Sequence, residues 1–97
     1  SMTENAETYI LHFGGTILKE YNGVYLVKYP YRRDEIRYAV VKYHYMSCGR
    51  NGFDPIPLFD VTISEEQAKF FSENLPAMQQ FCEDEFSKDE FSNKFGY

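Results

Sequence analysis

Residues 16–29 read TILKEYNGVYLVKY, two runs of alternating apolar and polar residues joined at Asn22-Gly23. An Asn-Gly pair between such runs is the strongest local signal for a two-residue β-hairpin. The favoured type I′ turn needs both central residues at positive φ, where Asn and Gly pay little. A turn here sets Tyr21 opposite Val24, Glu20 opposite Tyr25, Lys19 opposite Leu26 and Leu18 opposite Val27. Upstream, Gly14-Gly15 reads as a second two-residue turn that pairs Phe13 with Thr16, Leu11 with Leu18 and Tyr9 with Glu20, adding a strand over residues 8–13. The alternative is a bulge within one long strand.

This register sorts the side chains into two faces. One carries Tyr9, Leu11, Phe13, Leu18, Tyr25, Val27 and Tyr29, and is expected to lie under helices as the core face. The other carries Ile10, His12, Ile17, Lys19, Tyr21, Val24, Leu26 and Lys28. It is more apolar than a solvated face requires, so Tyr21, Val24 and Leu26 are expected to meet a partner, with cover by the N-terminal arm or by a second copy as the alternatives.

Downstream, Pro30 ends the second run, and Tyr31-Arg32-Arg33-Asp34 makes a charged, aromatic turn. Residues 35–46, EIRYAVVKYHYM, are the longest strand candidate. The expected sheet is an antiparallel meander of about four strands, 8–13, 16–21, 24–29 and 35–46. Residues 47–57 hold two Gly and two Pro and read as a long loop, and Leu58 to Ile63 reads as a short edge strand. Ser64-Glu65-Glu66-Gln67 is a capping box that opens a helix over 65–85, with Phe71, Leu75, Met78 and Cys82 on one stripe. Pro76 must kink that helix, or break it into two that meet near Asn74; the unbroken phase of the stripe favours the kink. A second capping box, Ser87-Lys88-Asp89-Glu90, opens a short last helix over 88–95. Together these elements describe one α+β domain over residues 1–97, with residues 1–7 frayed.

Charge is unevenly distributed. Residues 1–63 hold seven acids and seven bases, whereas residues 64–97 hold eight acids and three bases, so the whole net charge of −5 belongs to the C-terminal third. Direct binding to nucleic acid or to an anionic membrane needs a basic surface and is disfavoured, although Arg32, Arg33 and Arg37 beside tyrosines are its nearest approach. No apolar run approaches the ~20 residues that span a bilayer, and the polar N-terminus lacks a secretory pattern. Cys48 and Cys82 form no CxxC or disulfide framework, which fits free thiols in the cytoplasm.

No chemistry declares itself. His12 and His44 sit in strand candidates without a nucleophile–base pattern, and His12, His44 and Cys48 are too scattered for a zinc site. The run Glu83-Asp84-Glu85 lacks the loop of a calcium site, and no glycine pattern cradles a phosphate. The expectation is therefore no catalytic residue, no metal and no cofactor. What remains is a small acidic protein-binding module or inhibitor, a non-enzyme that acts through Tyr21, Val24 and Leu26, through the Tyr31-Arg32-Arg33 turn, or through Glu83, Asp84, Glu85, Asp89 and Glu90. Those acids would present carboxylates where a nucleic-acid-binding partner expects phosphates, as phage- or mobile-element-encoded mimics do. The alternative is a ligand-binding or enzymatic domain with a pocket between the sheet and the 47–57 loop, built on Arg50, His44 and Tyr45.

Overall fold

Asn22 and Gly23 take φ of 50° and 81°, and the Glu20 carboxylate accepts from the Gly23 amide at 2.8 Å, so the type I′ hairpin forms. The computed structural model describes residues 7, 8, 10–12, 14–47 and 53–95, with side chains at 44–59 and 89–95 left out of account. Its sheet is an antiparallel meander of β1 (Thr16–Tyr21), β2 (Val24–Pro30), β3 (Ile36–Ser47) and β4 (Phe53–Ile63), in spatial order β1-β2-β3-β4. Two helices follow, α1 (Glu65–Glu73) and α2 (Leu75–Phe95), giving an α+β fold.

The three hairpin pairs nearest the turn stand as the alternation dictates: Tyr21 with Val24, Glu20 with Tyr25, Lys19 with Leu26. Beyond them a β-bulge inserts Leu18, so that Ile17 rather than Leu18 faces Val27. The remaining alternation of β1 is thereby shifted by one.

The segment expected as the strand 8–13 is instead helical at residues 7, 8 and 10–12. Gly14, at φ 83°, donates its amide to the Leu11 carbonyl at 3.0 Å, and Gly15 donates to the Ile10 carbonyl at 2.9 Å. This pair of bonds is the Schellman closure of a helix C-terminus, which needs a left-handed residue where Gly14 stands. The double glycine is a helix stop rather than a hairpin turn, and its strand pairings do not exist.

That change inverts the faces. Val24, Leu26 and Val40 pack with Ala68, Phe71, Met78 and Cys82 beneath α1 and α2, flanked by Tyr21, Tyr38, Val61, Ile63 and Phe81. The opposite face, Tyr25, Val27, Ala39 and Val41, is closed by Ile10 of the N-terminal segment together with Ile17, Tyr29 and Tyr43. Tyr25 and Tyr43 meet edge to face, with centroids 6.2 Å apart at 72°. Central strand β2 is thus buried on both sides over Val24–Val27, and its continuous apolar run is what a doubly covered strand requires.

Gly15 marks how tightly the N-terminal segment sits. A Cβ there would lie 2.7 Å from Ile10 Cγ2 and 3.1 Å from the Ile10 carbonyl oxygen. Gly15→Ala is expected to cost about 1–3 kcal/mol through overpacking and to lift Ile10 from its seat. Urea unfolding measures the cost, and faster proteolysis near the N-terminus reports the lifting.

The helical layer follows its caps. The Ser64 hydroxyl accepts from the Gln67 amide at 3.0 Å, as the capping box prescribes. Asn74 separates the helices: its amide donates to the Phe71 carbonyl and its side chain to the Phe70 carbonyl, while its own carbonyl accepts from Ala77 and Met78. Pro76 therefore falls in the first turn of α2, where a missing N–H leaves no bond unmade, and the chain breaks at Asn74 rather than kinking through it. The Ser87 box opens no new helix, because α2 runs unbroken through it to Phe95.

Of the expected 47–57 loop, Ser47 and residues 53–57 are strand instead, and residues 48–52 lie outside the described residues. β4 begins at Phe53, opposite Ser47, and pairs Pro55 with Tyr45, Ile56 with His44 and Pro57 with Tyr43 before a register shift brings Phe59 opposite Lys42. Arg50 lies outside the described residues.

Candidate protein-interaction surface

Three of the residues expected at a partner belong to the interior. Val24 and Leu26 are 1% and 0% exposed under the helices, and Tyr21 is half-buried against the same cluster. The face expected to be bare is the one the Phe-bearing helices cover, since the bulge and the N-terminal helical segment leave that side of the sheet to them.

The acidic flank of α2 is partly occupied with itself. Glu83 and Asp84 are exposed, but Gln80 donates to the Asp84 carboxylate at 2.9 Å and Glu85 pairs with Lys88 at 3.5 Å. The side chains of Asp89 and Glu90 lie outside the described residues. Cys82, buried on the inner face of α2, has its thiol pushed up by desolvation, against a smaller opposing pull from Lys42. A raised pKa keeps it protonated and poorly nucleophilic. Asp60 of β4 also has its carboxyl raised by desolvation.

The connection between β2 and β3 has a different character. Tyr31 donates its amide to the Glu35 carbonyl at 3.1 Å, and Glu35 donates to the Arg32 carbonyl at 3.0 Å. Asp34 takes φ 61°, a conformation that Asp tolerates better than most residues. Below the turn the strands close through the pair Pro30–Ile36 and then Tyr29–Arg37. The backbone of this tip is fixed while residues 31–36 remain exposed.

On that frame the Arg37 guanidinium carbon lies 3.6 Å from the Tyr31 ring centroid, and that of Arg32 lies 5.1 Å from it. Exposed cation–π contacts of this kind contribute about 0.5–1 kcal/mol each, enough to bias side-chain orientation. Arg32 and Arg33 stand where the sequence placed a contact surface; Arg37 joins them because the turn folds β3 back across Tyr31. Cross-strand proximity to Tyr29 in a continued meander is the signal that points to Arg37. Among the described residues, no carboxylate pairs with Arg32, Arg33 or Arg37, although Asp34 and Glu35 are their neighbours in sequence.

A second surface feature is an open cleft of about 270 Å³ between Leu18 and Tyr38 on the sheet side and Glu65, Ala68, Lys69 and Ser72 of α1. It exists because the bulge turns Leu18, 37% exposed, away from the core. Glu65 and Lys69 are one helical turn apart on the same wall, so its charges balance rather than converge. Among the described residues no group of three or more His, Cys, Asp or Glu side chains is placed to hold a metal, and no helix is long and apolar enough to cross a membrane.

No protein-family model, curated protein or solved structure matches this chain.

Proposed function

We propose that the chain is a small protein-interaction module that works by surface contact rather than catalysis, and that it engages an acidic protein partner through the Tyr31–Arg37 end of the sheet. The observation that carries this reading is the stacking of Arg37 and Arg32 on Tyr31 above a hydrogen-bonded turn, with no carboxylate neutralising them among the described residues. Tyr and Arg dominate interface hot spots because each combines a broad apolar surface with directional polar groups. A pre-ordered turn also lowers the entropy lost on association. Its three Arg stand against an acidic C-terminal third, so an acidic partner is attracted to the turn and repelled by the acidic residues of the helices.

Immobilised full-length chain, exposed to an extract of its native host, is expected to capture a defined partner that is lost with Arg32→Glu/Arg33→Glu. Equal capture by both chains would remove the turn from the interface. Because the two side chains are exposed, the double variant is expected to keep the wild-type unfolding free energy to within about 1 kcal/mol, the worth of the lost Arg32–Tyr31 contact.

A further inference from the structure

We infer that what the Tyr31–Arg37 end reads is a localised double negative charge on a flexible peptide, supplied either by a phosphate monoester or by two adjacent carboxylates. This rests on the protein-binding reading of the same surface and names its ligand.

The first argument is geometric. A guanidinium stacked on an aromatic ring at 3.6 Å has spent its flat face and keeps its edge, the fork of N–H donors that matches carboxylate and phosphate oxygens two at a time. Tyr31 therefore acts as a positioning residue that holds the fork of Arg37 ready, with Arg32 against the same ring and Arg33 next in the chain. Three guanidiniums within residues 32–37 can surround one centre from several sides. Phosphate suits this because its three terminal oxygens accept in different directions.

The second argument concerns single carboxylates. Asp34 and Glu35 lie inside the same turn, yet neither pairs with Arg32, Arg33 or Arg37. The turn's hydrogen bonds and the left-handed Asp34 hold the backbone so that the native acids leave the forks open. The three forks are thus left unfilled although the net charge of residues 31–37 is only +1; one isolated carboxylate occupies a single fork, whereas a dianion engages more than one.

The third argument sets the size of the ligand. Long polyanions gain affinity by touching many cations along an extended path. Here the three Arg fall within residues 32–37, too short a stretch to form an extended path. A compact dianion on a pliable chain matches that short stretch.

The test is fluorescence anisotropy with the full-length chain and three labelled nine-residue Gly/Ala peptides that differ at the centre: phosphoserine, Asp-Asp, or serine. The phosphoserine peptide is expected to bind at least about tenfold more tightly than the serine peptide, the gain of a charge-assisted bidentate contact. A matching gain with Asp-Asp assigns the carboxylate pair as a sufficient source; a gain with phosphoserine only assigns phosphate. Arg37→Lys, which keeps the charge and loses the planar fork, is expected to weaken binding about fivefold or more. Tyr31→Leu should do the same while Tyr31→Phe binds as wild type. Equal affinity for all three peptides overturns the inference, as does an unaffected Arg37→Lys, or tighter binding of a nine-nucleotide single-stranded DNA than of the phosphopeptide. If the peptides fail to discriminate while the captured partner is still lost with Arg32→Glu/Arg33→Glu, the dianion falls and the interaction module stands.

Discussion

Phe71→Ala is expected to remove about 3–5 kcal/mol of folding stability, measured as the difference in unfolding free energy from urea titrations of the variant and the wild type. A domain of this size holds roughly 5–15 kcal/mol in all, so the variant loses about a fifth or more of what keeps it folded. The reason lies in how α1 is attached. The helix has nine residues and just two of them, Ala68 and Phe71, are buried. The Phe71 ring packs 5.2 Å from the Phe81 ring of α2 and reaches the cluster formed by Val24, Leu26, Val40, Met78 and Cys82. Alanine leaves a cavity that none of these neighbours fills without moving the helix. A loss below about 1 kcal/mol would mean that α1 is not held by this side chain.

The second large effect is a contrast between two leucines that a plain hairpin register places the other way round, Leu18 in the core and Leu26 outside it. Leu26→Ala is expected to cost about 2–5 kcal/mol, because Leu26 is fully buried between β2 and the helices. Leu18→Ala is expected to cost less than about 1 kcal/mol, because the bulge leaves Leu18 at the cleft. Parallel denaturation of the two variants decides which face the helices cover. A larger loss for Leu18→Ala than for Leu26→Ala would restore Leu18 to the core and return the sheet to an unbulged register.

The same pair of residues shows what was legible in the sequence. Asn22-Gly23 fixes a turn type, and the turn fixes the nearest pairs; the three pairs from Tyr21 to Lys19 follow directly. The bulge does not follow, because Ile17 and Leu18 are both aliphatic and the alternation reads equally well with either facing inward. Gly14-Gly15 misleads for a related reason. Paired glycines serve hairpin turns and helix stops alike, and the β-branched and aromatic residues before them favour the strand reading until tertiary packing of Ile10 outweighs propensity. With the N-terminal segment as a strand, the face assignment had to come out reversed.

The helices were more transparent at one end than the other. Ser64 caps a helix because the amides after it have no other partners. Ser87 opens the same capping-box pattern but lies inside a helix already under way, where upstream carbonyls take those amides. In the candidate site, Tyr31, Arg32 and Arg33 were legible as a charged turn. The stacking of Arg37 was not, since it depends on the fold-back of β3 that the turn geometry creates.

One consequence of the sheet's two outer strands bears on how any partner is met. β1 carries an extra residue at Leu18 and an exposed Lys19; β4 carries a register shift beside Pro57, with Pro55 two residues before it. Bulges spoil the straight row of donors and acceptors that an incoming strand needs, and each proline deletes a donor outright. Both margins of the meander therefore resist lengthening, whether by a partner's strand or by a neighbouring copy in an aggregate. With its margins interrupted in this way, the sheet offers contacts through side chains rather than through its edges, and the proposed interaction at the Tyr31 turn is of that kind.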